Sequence, residues 1–138
     1  MSLPASQVFI NLPVHNLNRS VQFFTHLGFT FNPQFTDETA TCMLVGENIF
    51  VMLLTRERYA GFTPKPVADA RSASQVLIAL SLHSREAVDA MVRAAVDSGG
   101  TTYADPRDHG WMYQHSFEDP DGHQWEVMHA DITKFGQA

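Results

Sequence analysis

The chain has 138 residues, of which 44% are apolar and 17% charged. That composition supports a packed core and excludes a disordered chain. At this length about two thirds of the unfolded surface can be buried without covalent staples. Lys and Arg number 9 against 15 Asp and Glu, a formal charge of -6, so no nucleic-acid partner is expected, since that role carries a basic surplus.

Cys42 is the single cysteine. It excludes an internal disulfide and a thiolate-rich zinc site, and a reducing, cytoplasmic setting is expected. The opening MSLPASQVFINLPV has no cationic segment before its apolar run, so no secretory signal is expected. The longest apolar run, IFVMLL at 49–54, falls far short of the roughly 20 residues a membrane helix needs. No membrane partner is expected.

In chain order, VFINLPVHN at 8–16 predicts a strand largely buried on both faces. Asn16 or Asn18 can cap a helix with Leu17, Val21, Phe24 and Leu27 on one stripe and Gly28 past its end. Strands are predicted near 29–35, 39–45 and 49–54, with a turn at Gly46-Glu47-Asn48. Residues 55–75 hold two prolines, no clean periodicity and the cations Arg56, Arg58, Lys65 and Arg71. That stretch reads as a linker, with a ligand lid or a dimer arm as alternatives.

VLIALSLHS at 76–84 repeats the first strand at a spacing of 68: Val8 meets Val76, Ile10 meets Ile78, Leu12 meets Leu80 and His15 meets His83. Ser84 can cap a second helix with Ala87, Val88, Met91, Val92 and Ala95 as its stripe and Gly99 and Gly100 closing it. Strands are predicted near 101–104, 112–118 and 123–129, the last two joined by Asp119-Pro120-Asp121-Gly122. Each half therefore reads βαβββ. One domain is expected, with module one at about 7–55, a linker at about 56–75 and module two at about 76–131.

The doubled unit, the opening VFINLPVHNLNRSVQFFTHLGF and the closing FEDPDGHQWEVMHAD resemble the vicinal oxygen chelate superfamily. That group includes glyoxalase I, bleomycin-resistance proteins and extradiol dioxygenases. The nearest likeness is to its small lactoylglutathione lyase-related branch. The resemblance implies an α+β fold, two βαβββ modules forming a cupped eight-stranded mixed sheet, and a homodimer. In metal-dependent members four ligands come from the first and last strands of each module. Here the resemblance implies Phe9, one of Val51, Met52 and Leu53, Leu77, and Glu126 at those positions. A hard divalent ion needs several oxygen or nitrogen ligands, and three of these four are hydrocarbon or thioether. No metal cofactor is expected. A displaced site using His115, His123 or His129 with Glu126 is the remaining route.

If the turn pairs Glu118 with His123, counting outward sets His115 opposite Glu126. A slip of one residue reverses that placement. Asn11, Tyr113, His115 and Glu126 are then the polar groups expected around an apolar cavity, with Trp111 as a stacking surface. The expected function is binding of a small organic molecule in the cup without the metal. The alternative is a lyase or isomerase of the glyoxalase type using a displaced metal or Glu126 and His115 as a proton-transfer pair. A dimer with a vestigial cup is a third reading.

Overall fold

The protein is described by a computed structural model covering residues 2–131 and 133. The chain divides into two compact units, Met1–Ala68 and Asp69–Ala138, so the boundary falls inside the stretch read as a linker. Unit one contains β1 (Val8–Val14), α1 (Leu17–His26), β2 (Thr30–Asn32), a 3-10 turn (Pro33–Phe35), β3 (Ala40–Gly46), β4 (Ile49–Thr55) and α2 (Arg56–Ala60). Unit two contains β5 (Leu77–Ser81), α3 (Arg85–Asp97), β6 (Arg107–Asp108), β7 (Met112–Glu118) and β8 (Gln124–Ala130). Each sheet has four strands, ordered β1-β4-β3-β2 and β5-β8-β7-β6. In each, the first strand runs parallel to the last and the other pairs are antiparallel. The α+β class and the repeated βαβββ unit are borne out.

The helices start where the sequence places their caps. The Asn16 side chain accepts the Arg19 N–H, and the Ser84 side chain accepts the Ala87 N–H. Each cap satisfies a donor that the first helical turn leaves unpaired. Gly28 and Gly99 end them with positive φ. The face of each sheet beneath its helix is the more fully buried. In unit one Val14, Met43, Val51 and Leu53 are buried together with Phe23 and Phe24 of α1. In unit two Ile78, Phe117, Trp125 and Val127 are buried together with Val88, Val92 and Ala95 of α3. Each such large side chain contributes about 1.5–3 kcal/mol of transfer free energy.

Three expectations about elements need correction. The strand read near 29–35 stops at Asn32, because Pro33 has no N–H to give and the Asn32 side chain caps Gln34 instead. The linker begins with α2, too short to show periodicity and capped by Thr55. Residues 101–104 form no strand. Thr101 makes a single bridge to Glu118, and the edge strand is the two-residue β6.

The β7–β8 hairpin also differs from expectation. Gly122 N–H bonds to the Asp119 carbonyl at 2.9 Å, and Asp119 N–H bonds to the His123 carbonyl at 3.0 Å. Gly122 has φ +89. The residues are those of a tight turn followed by a left-handed glycine, which leaves 120–122 outside the ladder and pairs Asp119 with His123. Glu118 therefore faces Gln124, one residue on from the expected His123.

Asp119 is buried beneath this turn. Its Oδ1 accepts the N–H groups of Asp121 and His123, both at 3.0 Å, and its Oδ2 accepts the Trp125 indole N–H at 3.1 Å. Burial pushes its carboxyl up to about 6, against the opposing pull of His123 and the indole.

A raised native pKa means that the folded chain holds this proton more tightly than the unfolded one. The stability it contributes is complete below about pH 4 and is lost as pH rises through 6. Thermal midpoints across pH 4–7 are expected to show that fall, and Asp119→Asn to flatten it; an unchanged slope in the variant refutes the assignment. Replacement of Gly122 is expected to be far costlier than replacement of Gly110. Both have positive φ, but a Cβ at Gly122 meets the Ala70 and Arg71 backbone at 2.8 Å, while one at Gly110 meets nothing within 4 Å. Urea unfolding is expected to give about 1 kcal/mol for Gly110→Ala and clearly more for Gly122→Ala.

Candidate functional site

Residues directly paired across neighbouring strands share a face, so the register builds the site row by row. In unit one, the face turned away from α1 carries the row Asn11, Met52, Cys42, Asn32 and, beside it, the row Phe9, Phe50, Leu44, Thr30. The Phe9 and Phe50 rings stack with centroids 4.7 Å apart. The Asn11 side chain donates to the Phe9 carbonyl at 3.4 Å. In unit two the corresponding face carries Ala79, Glu126 and Ser116 in one row and Leu77, Gln124 and Glu118 in the next.

The 68-residue spacing superposes Asn11 on Ala79 and Phe9 on Leu77. The partner of Asn11 is Met52 and the partner of Ala79 is Glu126. Met52 is therefore the counterpart of Glu126, which selects one residue from the three candidates Val51, Met52 and Leu53. The four positions at issue are Phe9, Met52, Leu77 and Glu126, and one carboxylate is their whole supply of hard donors. Such a set does not fit a divalent ion. Among the described residues, no three His, Cys, Asp or Glu side chains converge to hold a metal elsewhere.

The polar residues expected to gather around Glu126 do not. Glu126 pairs with Ser116, while His115 pairs with Val127 and Tyr113 with His129. The one-residue shift at the hairpin turns His115 and Tyr113 to the α3 side, opposite Glu126. The expected contact between His115 and Glu126 is thus corrected. Tyr113 instead donates its phenol to Asp89 of α3 at 2.6 Å, and the Arg85 guanidinium lies 5.1 Å from its ring centroid. Arg85 also grips Asp108 with two bonds of 2.7 and 2.9 Å. The hydrogen bond from Arg85 holds the Asp108 carboxyl down at about 2. Trp111 lines a cavity of about 210 Å³ beside His83, Arg85 and His129. His115 lines another of about 300 Å³ with Asp89, Arg93 and Thr102. Both open on the helix side of the second sheet.

Sequence reasoning missed Tyr103. Burial, and then the charge of Glu126, push its phenol up, while the Ser116 hydroxyl pulls the other way. Its neighbours are thus Glu126 and Ser116. Beyond that contact with the phenol, the buried Ser116 Oγ has no hydrogen-bond partner among the described residues. The signal for Tyr103 was the spacing of Thr101 from Glu118, which was readable only once the bridge between them was known.

No helix among the described residues is long and apolar enough to cross a membrane. Comparison with known proteins places the chain in a family. Residues 6–127 match the sequence profile of the Glyoxalase/Bleomycin resistance protein/Dioxygenase superfamily. No curated protein matches the chain in sequence. Among solved structures, a hypothetical protein from S. aureus is similar with a TM-score of 0.78 at 24% identity, over 92% of this chain and 95% of that one. A glyoxalase-related enzyme from Fulvimarina pelagi is similar with a TM-score of 0.77 at 18% identity, over 93% and 91%. A bleomycin resistance determinant encoded on the transposon Tn5 is similar with a TM-score of 0.63 at 19% identity, over 92% and 99%. With two βαβββ units built on one strand order and a profile match across most of its length, the chain belongs to the glyoxalase/bleomycin resistance protein/dioxygenase superfamily.

Proposed function

We propose that the protein binds a small organic molecule at the helix-free faces of its sheets and does so without a metal. One observation supports this reading: of Phe9, Met52, Leu77 and Glu126, the residues at the positions that the family resemblance implies for metal ligands, only Glu126 is a hard donor. Phe9 and Leu77 are about half exposed, at 49% and 55%, which leaves apolar surface on those faces for a ligand. The lyase or isomerase alternative loses one of its two routes, the acid–base pair. Its acid–base pair required His115 beside Glu126, and the two side chains lie on opposite faces.

Thermal unfolding tests this reading. Nickel, zinc, manganese and iron(II) are each expected to leave the midpoint unchanged. At least one compound from a panel of aromatic molecules is expected to raise it, since a ligand at 100 times its Kd adds about 2.7 kcal/mol. Metal-induced stabilisation that disappears in Glu126→Gln overturns the proposal.

Exposed apolar side chains on the end strand of each unit's sheet support a homodimer. Val8, Phe9 and Leu77 are exposed on β1 and β5, the end strands of their sheets, and an uncovered apolar edge is a site of association. Light scattering is expected to give twice the chain mass, and Phe9→Asp with Leu77→Asp to shift it toward the monomer. A monomer mass for the unaltered chain at tens of micromolar refutes the dimer.

A further inference from the structure

The charge pattern of α3 opposes the helix that carries it. Its last residue is Asp97, and no basic residue stands in its last turn. The C-terminal end of a helix is the negative end of its dipole, so stability favours a cation there and disfavours an acid. Asp89, Val92, Arg93, Val96 and Asp97 follow the three-and-four spacing of one helix face. Val92 is buried, but Val96 is 46% exposed.

These five residues, with Thr102 and His115, line the cavity of about 300 Å³ on the helix side of the second sheet. That volume stands at the lower end of the roughly 300–1,000 Å³ of small-ligand sites. Several of its polar groups are not engaged in holding the fold. The Arg93 and Asp97 side chains make no hydrogen bond or ion pair among the described residues. Asp89 accepts the Tyr113 phenol through Oδ1 at 2.6 Å, which orients the carboxylate and leaves Oδ2 to accept a further bond. His115 Nε2 lies 3.1 Å from the Ala104 carbonyl. A carbonyl only accepts, so Nε2 carries the hydrogen and Nδ1 of the neutral ring is an acceptor. The Thr102 hydroxyl gives its hydrogen to the Ser116 carbonyl at 2.8 Å. The cavity thus presents two carboxylates and an imidazole nitrogen as acceptors, with Arg93 as the one charged donor beside them.

We propose that this cavity is a second binding site, separate from the helix-free faces, and that it takes a primary ammonium ion carrying a short apolar chain. An ammonium group has three donors and no acceptor, which matches Asp89, Asp97 and His115 Nδ1. Two carboxylates against one guanidinium leave the rim negative, and the end of α3 adds to that potential. An anion gains Arg93 alone and is repelled by both acids. Val92 and Val96 form the wall for the apolar chain, and covering the exposed part of Val96 is favourable. Arg93 stands one turn from each acid, so it competes with the ligand for them.

Methyl NMR on the full chain tests the proposal, with butylammonium, butanol and butyrate as probes. Butylammonium is expected to shift the Val92 and Val96 methyl signals saturably, and the neutral and anionic probes to bind about tenfold more weakly. Asp97→Asn is expected to weaken butylammonium about tenfold, through loss of a charge-assisted bond. Arg93→Gln is expected to tighten it about threefold, because a like charge one turn away is removed. Butanol or butyrate binding as tightly as butylammonium, no saturable shift, weaker binding to Arg93→Gln or unchanged binding to Asp97→Asn overturns the assignment. Shifts centred on Ala79 and Glu126 place the ammonium on the helix-free face and overturn the site.

A second measurement needs no ligand. Asp97→Asn is expected to raise the thermal midpoint of the free chain, since it removes a charge that opposes the α3 dipole. A midpoint that does not rise shows that the acid serves the fold and overturns the proposal. The helix-free faces take no part in either measurement, so this site and the function proposed above can fail separately.

Discussion

Between the paired residues Asp119 and His123, the chain reverses through Pro120, Asp121 and Gly122, with the last at φ +89. Side chains alternate across a sheet, so the number of residues left out of the ladder decides which ones face the helix. Gly122 supplies the extra residue because a left-handed conformation costs it little. Asp119 then locks the count by accepting two N–H groups of the turn and the Trp125 indole. Glu126 consequently shares a face with Ser116 and Gln124's neighbour Glu118, and His115 shares one with Trp125 and Val127. Which side chains of β7 join Glu126 on its face follows from that count.

The two units use one backbone plan for different surfaces. The row Asn11, Met52, Cys42, Asn32 in unit one corresponds to Ala79, Glu126, Ser116 in unit two. Polar groups stand at both ends of the first row, and the second is polar everywhere but at Ala79. The adjoining rows diverge further, with stacked Phe9 and Phe50 in one and Gln124 bonded to Glu118 at 3.2 Å in the other. Both units keep a hydrophobic face beneath the helix, where close packing penalises changes of volume. The opposite faces are less fully covered, although Cys42 and Leu54 in unit one and Ser116 in unit two are buried there.

Much of this was legible in the sequence. The strand repeat, both helix caps and the glycines after them were readable because each depends on local chemistry or on strict spacing. Glu126 was singled out by the family resemblance rather than by spacing. The placement of His115 was not. It depends on a one-residue difference within a turn whose residues, Asp-Pro-Asp-Gly, suit more than one loop length. Tyr103 escaped notice because a single bridge to Glu118 fixes its side, and a single bridge leaves no periodic pattern. The α2 helix was hidden by its length, since one turn cannot show a stripe.

Parallel pairing of the first strand with the last has a kinetic side. The β7–β8 hairpin closes across 120–122, whereas β5 must find β8 across 82–123, and β1 must find β4 across 15–48. Closure entropy rises with loop length, and hairpins form within microseconds. The strands bearing Ser116 and Glu126 are therefore expected to pair before β5 arrives, which φ-value measurements would detect as high values in the hairpin and low ones in β5. Until it does, the inner edge of β8 is a vacant template, so the order of assembly makes these units most prone to mispair along the strand that carries Glu126.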